Sequence, residues 1–194
     1  GVALATAATL ARAQEHRGLE PVKKAVVTAK ITLAQAIEAA QKEVAGGKVI
    51  EAGMKVEKDA AFYEVVVLSG EAVKEVKIDA ASGKVLGVKE EKPEKDEEKE
   101  LAEAKQALGA AKFTFAQALE TAGKEVKDGK AFKIEVEMKG SQPSYEVVLL
   151  QGDKVMKAVL DAASGKVLKV TEWQAKAECF RCLRCDIKTC QEVH

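Results

Sequence analysis

The sequence is poor in the residue types that most often carry chemistry. It has two histidines, His16 and His194, and neither stands near a serine or carboxylate motif. No G-x-S-x-G, H-E-x-x-H or glycine-rich phosphate loop occurs, so the common hydrolase and nucleotide-binding chemistries lack their residues. Aromatics make up 4% of the chain, too few for a base-stacking platform. Basic and acidic residues number 31 each and are finely interleaved, so no net field draws the chain to nucleic acid or an anionic membrane. No apolar run is long enough to span a bilayer. Cysteine is absent until Cys179.

What is present is a duplication. The string DAASGKVL occurs at Asp79–Leu86 and again at Asp161–Leu168. Around it, residues 19–90 align with residues 101–172 without a gap, with close to half of the positions from Thr32 onward identical. Such self-similarity marks a tandem repeat. Each copy is near the lower size at which one core suffices, so the copies are expected to pack together.

Within a copy the period of apolar residues changes once. Leu19, Val22, Ala25, Val26 and Ala29 fall at helical spacing, as do Leu101, Ala104, Ala107, Leu108 and Ala111. Next come Thr32-Leu33-Ala34-Gln35 and Thr114-Phe115-Ala116-Gln117, each a capping box that predicts a second helix start. Gly46-Gly47 and Asp128-Gly129 are expected to end that helix through a left-handed glycine. The period then becomes two: Phe132, Ile134, Val136 and Met138 alternate with Lys133, Glu135, Glu137 and Lys139, the pattern of a strand with one wet face. Three more strands follow in each copy, the last entered through Ala-Ala-Ser-Gly.

The expected fold class is therefore α+β: two tandem repeats, each with helices packed on an antiparallel β-meander. The expected organisation is an apolar leader over residues 1–18, repeat 1 over 19–90, a charged linker over 91–100, repeat 2 over 101–172 and a cysteine-rich tail over 173–194. The linker, EKPEKDEEKE, is nearly all charged and cannot bury surface. The leader, GVALATAATLARAQ, reads as the end of a signal sequence with an A-x-A site at Ala11-Arg12-Ala13. It predicts an exported protein of the periplasm, cell envelope or exterior, and offers the one apolar segment through which the chain could touch a membrane.

Two helices, a meander and a closing D-x-x-[ST]-G-K-V-L turn resemble the PepSY domain. The matching residues are Asp79, Ser82, Gly83, Lys84, Val85 and Leu86, with Asp161, Ser164, Gly165, Lys166, Val167 and Leu168. Tyr63-Glu64-Val65 and Tyr145-Glu146-Val147 resemble the tyrosine-bearing strand of that family. The resemblance implies an exported or membrane-associated binding module, as in propeptides of thermolysin-like metalloproteases, with no catalytic residues. The turn residues also have a local explanation: Asp and Ser supply turn hydrogen bonds and Gly the positive φ.

The tail carries all four cysteines, Cys179, Cys182, Cys185 and Cys190, spaced C-x2-C-x2-C-x4-C. The first reading is a [4Fe–4S] cluster. Closely spaced thiolates on one segment suit a cubane, and the spacing is close to the ferredoxin pattern but for one extra residue before Cys190 and no proline. The local string is also similar to a stretch of iron–sulfur flavoenzymes of the glutamate synthase small-subunit type, over about ten residues. The second is a tetrahedral zinc site, with His194 as a substitute ligand. The third is two disulfides with no metal, and the fourth is free thiols that join subunits. A redox-active dithiol at Cys182 and Cys185 is a weaker enzymatic reading, since no thioredoxin-like pattern surrounds it. No C-x-x-C precedes a histidine, which excludes a conventional c-type haem.

These readings converge on a non-catalytic exported scaffold carrying a metal centre on the tail, with an electron-transfer or assembly role. Its expected partners are other protein subunits in a complex or filament, not nucleic acid. The alternative is an envelope binding or protease-inhibitory module with the cysteines paired.

Overall fold

A computed structural model describes residues 19–91 and 97–173. The first repeat contributes α1 (Glu20–Thr28), α2 (Leu33–Glu43), β1 (Lys48–Glu57), β2 (Ala60–Ser69), β3 (Ala72–Asp79) and β4 (Val85–Glu91). The second contributes α3 (Glu97–Ala110), α4 (Phe115–Glu125), β5 (Lys130–Lys139), β6 (Gln142–Gln151), β7 (Lys154–Asp161) and β8 (Val167–Glu172). The fold class is α+β, as the periodicity predicts.

Both capping boxes form. Thr32 Oγ1 accepts from the Gln35 N–H while the Thr32 N–H donates to Gln35 Oε1, and Thr114 and Gln117 repeat the exchange. Such a cap is worth about 1 kcal/mol of helix stability. The charged run differs from its reading as pure linker. β4 pairs through to Glu91, and α3 starts at Glu97. Acidic residues at a helix start are favourable because they face the positive end of the helix dipole.

At the helix ends the expected left-handed glycine is present in the first copy and replaced by an aspartate in the second. The left-handed residues are Gly46 (φ 76°) and Asp128 (φ 60°), one in each copy at the same repeat position. The glycine that follows serves another purpose. A β-carbon on Gly47 would stand 2.4 Å from Val67, and one on Gly129 would stand 2.8 Å from the Val126 carbonyl. Asp tolerates the turn, whereas only glycine fits the close approach beside it.

The eight strands form one antiparallel sheet in the order β4-β3-β2-β1-β5-β6-β7-β8. The two meanders thus join through their first strands. The join is short: Glu51 pairs with Glu135, Ala52 with Ile134 and Gly53 with Lys133. Because equivalent residues lie 82 positions apart, this register is self-complementary. Ala52 faces its own counterpart, and the two flanking pairs exchange under a local two-fold.

One face of the sheet carries the helices. Val22, Val26, Leu33, Ile37 and Ala40 from the helices share a single buried cluster with Ala52, Tyr63, Val65, Val67 and Val76. The second copy adds Ala107, Phe115, Ala118 and Ala122 over Ile134, Tyr145, Val147 and Leu160 to the same cluster. α1 packs on β1 and reaches β5, and α3 packs on β5 and β6 and reaches β1. The leading helices therefore bridge the join on that face. The other face is polar at its centre.

Candidate functional site

Two constellations merit description: the paired turns and the sheet face opposite the helices. In the first turn Asp79 Oδ1 accepts from the Ser82 N–H and the Ser82 hydroxyl, each at 2.6 Å. In the second, Asp161 Oδ1 accepts from the N–H groups of Ala163 and Ser164 at 2.9 and 2.6 Å and from the Ser164 hydroxyl at 2.9 Å. The Ser82 hydrogen bonds hold Asp79 below its ordinary pKa. A bond from Gln142, then those from Ser164, do so for Asp161. Gly83 and Gly165 both take φ 73°.

The turns fasten the helical layer to the sheet. The N–H groups of Lys30 and Ile31 donate to the Ala80 carbonyl, and those of Lys112 and Phe113 to the Ala162 carbonyl. The family tyrosine completes each fastening. The Tyr63 hydroxyl donates to the Ile31 carbonyl at 3.1 Å, and the Tyr145 hydroxyl to the Phe113 carbonyl at 2.6 Å. Burial pushes both phenols up to about 12. The motif residues are thus engaged in internal hydrogen bonds, which matches the structural reading of the turn.

On the face opposite the helices, a row of three largely buried carboxylates crosses three neighbouring strands. Glu51 pairs with Glu135, and Glu135 pairs with Glu146 on its other side. The row ends in Val66 and Val159. The next row holds the cations: Gly53 pairs with Lys133, and Val148 lies between Lys133 and Lys157. Lys133 Nζ stands 2.8 Å from Glu135 and 3.4 Å from Glu51 Oε1, the latter out of hydrogen-bonding alignment. Lys139 lies 3.0 Å from Glu137 and 3.1 Å from Glu146, and Lys157 also pairs with Glu146. In the first copy Lys55 bonds Glu64 at 2.5 Å.

The protonation states follow from these surroundings. Burial raises Glu51 to about 8; Lys133 opposes the shift in part and Glu135 adds to it. Lys133 loses by burial but is held above its ordinary value by Glu135 and then Glu51. Burial also raises Glu137. At Glu146 burial is outweighed by Lys157 and Lys139, and the group sits below its ordinary value.

The carboxylates of Glu135, Glu137 and Glu146 lie within 4.8 Å of one another, close enough to ligate one cation. Ammonium groups of Lys133, Lys139 and Lys157 already neutralise them. The cluster is a lysine-compensated ion-pair network. The sequence reading treated these residues as a solvated strand face and missed the network. A signal for it exists: between positions 82 apart the charge reverses, Glu51 against Lys133, Lys55 against Glu137 and Glu57 against Lys139.

Cys179, Cys182, Cys185, Cys190 and His194 lie outside the described residues, as do the leader and His16. Trp173, assigned to the tail, adjoins the folded part: its backbone N–H donates to the Val155 carbonyl, and the residue packs, partly buried, against the core. Among the described residues no helix is long and apolar enough to cross a membrane.

Comparison with known families gives a match over residues 30–89 and again over 112–171, together more than half of the chain, to the PepSY description, peptidase propeptide and YPEB domain. This chain belongs to the PepSY family. Both matches begin after the leading helices and end within β4 and β8. No curated protein matches the chain. Among solved structures, a putative lipoprotein from Clostridium difficile 630 is 21% identical, with a TM-score of 0.48 over 75% of this chain and 95% of that one. The YpeB C-terminal domain of Bacillus megaterium is 13% identical, with a TM-score of 0.29 over 76% and 67%.

Proposed function

We propose that this tandem PepSY chain is a non-catalytic exported scaffold whose chemistry resides in the tail. The observation that carries the reading is the use made of the family residues. Asp79, Ser82, Tyr63 and their counterparts Asp161, Ser164 and Tyr145 are engaged in hydrogen bonds that close the turns and tie helices to sheet, so the family residues have a structural role that needs no substrate. On the sheet face opposite the helices, Glu135, Glu137 and Glu146 are likewise paired with lysines.

Cys179, Cys182, Cys185 and Cys190 form a donor set of four thiolates on one short segment, suited to a [4Fe–4S] cluster or, failing that, zinc. A bound cluster would supply one-electron transfer. Export is supported by the leader sequence and by family membership. The binding-module alternative has its own support. Both edge strands expose apolar side chains, Leu86 and Val88 on β4 and Leu168 and Val170 on β8, and an uncovered edge invites a protein partner.

The two readings separate on one preparation. Purified without oxygen, the scaffold with a metal centre yields iron and acid-labile sulfide, or zinc, and thiols protected from alkylation. The binding module yields two disulfides by non-reducing mass spectrometry and inhibits a thermolysin-type metalloprotease. Oxidised thiols with no metal would overturn the first reading.

A further inference from the structure

The join between the repeats carries an electrostatic imbalance at one of its two flanking pairs. Glu51 and Glu135 are directly opposed across β1 and β5, and like charges in that relation repel. Lys133 is the one ammonium within 4 Å of both carboxylates among the described residues, and it bonds Glu135. The remaining surroundings give Glu51 little help. On its own strand Lys55 favours the charged Glu51 only weakly, because it is bonded to Glu64. From β2 its direct neighbour is Val66, with Glu64 on the diagonal. From β6, Glu146 adds a third carboxylate to the row, and the nearby Lys157 is engaged with it. The helices lie on the opposite face.

The pairing that Glu51 must tolerate is also narrow. β1 and β2 match at nine positions and β5 and β6 at nine, whereas β1 and β5 match at three. A disturbance at Glu51 therefore falls on the shortest strand pairing in the sheet.

We propose that the β1–β5 join is a proton-linked joint: a neutral Glu51 lets the repeats share one sheet, and its ionisation loosens the join while each repeat keeps its own fold. The direction follows from the position of the titration, near pH 8 when the join is closed and near the ordinary carboxylate value when it is open. Between those values the open form gives up a proton that the closed form retains, so opening becomes easier as pH rises from about 5 to about 8 and levels off above that. This inference does not depend on what the cysteine tail holds.

Hydrogen exchange of the full chain, followed by mass spectrometry from pH 5 to 8.5, tests it. After correction for intrinsic exchange chemistry, peptides covering β1 and β5 lose protection by up to about tenfold per pH unit between pH 5 and 8. Peptides from β6 and β7 keep theirs. In Glu51→Gln the pH dependence at the join disappears. Equal dependence in wild type and Glu51→Gln would overturn the proposal. Should the variant fail to fold, carbon-13 NMR titration of the wild-type Glu51 carboxyl decides: a midpoint near 8 supports the joint, and one in the ordinary carboxylate range overturns it.

Discussion

The tip of the Phe113 ring occupies the space in which a side chain on Gly165 would begin: a β-carbon there would stand 2.3 Å from Cζ. In the first copy the same relationship is looser. A β-carbon on Gly83 meets Ile31 Cγ2 at 3.4 Å. Both glycines hold φ 73°, so alanine strains either backbone by about 1 kcal/mol, and the second copy adds overpacking of about 1–3 kcal/mol. Urea unfolding should show Gly165→Ala costing clearly more than Gly83→Ala. Phe113→Ile in the Gly165→Ala background should recover much of the difference, because it restores the first copy's pairing.

The tyrosine fastenings make a second prediction. Tyr145→Phe leaves the Phe113 carbonyl without its 2.6 Å donor, and Tyr63→Phe does the same to Ile31 at 3.1 Å. Each should cost about 1–2 kcal/mol, since losing one partner strands the other. If the tyrosines contacted a ligand instead, the phenylalanine variants would keep full stability and lose binding.

The acid limb of stability should depend on Asp79 and Asp161. Both have depressed folded-state values, caused by the Ser82 bonds at Asp79 and by Gln142 and Ser164 at Asp161. Their stabilising contribution is therefore present above the unfolded-state carboxylate value and is lost as pH falls through the folded one. Asp79→Asn with Asp161→Asn should flatten the loss of melting temperature on acidification. An unchanged acid limb would show that other carboxylates govern it.

Glu51 acts with the opposite sign. Its folded-state value of about 8 means that stability is fully present below the unfolded carboxylate value and declines as pH rises toward 8. Glu51→Gln should be close to neutral at pH 5 and stabilising at pH 8, on the order of 1–3 kcal/mol, measured by urea unfolding at the two pH values. Stabilisation of equal size at both would place the effect in packing rather than ionisation.

Much of the fold is written in short-range signals. The T-x-x-Q pairs place α2 and α4, the two-residue alternation places β5, and the repeated DAASGKVL places the last hairpin of each copy. These features are local, and periodicity reports local structure well. The join through β1 and β5 is different. It depends on a register between strands 82 residues apart in sequence, set by which edge of each meander is free. Alternation shows Glu51 and Glu135 as wet-face residues and cannot show that they oppose each other. Asp128 illustrates a smaller failure of the same kind: the glycine beside it drew the left-handed assignment, although its real constraint is the Val126 carbonyl packed against it. The cysteine cluster was legible at once from its spacing and lies outside the described residues.

The central claim is that the two repeats are scaffold and that Cys179, Cys182, Cys185 and Cys190 carry the chemistry. Metal analysis of the full chain purified without oxygen, beside a variant with all four cysteines changed to serine, tests it most directly. The account predicts stoichiometric iron with sulfide, or zinc, in the wild type, none in the variant, and the same melting temperature for the repeats in both. A wild-type protein without metal and with two disulfides, or a variant whose repeats no longer fold, would contradict it.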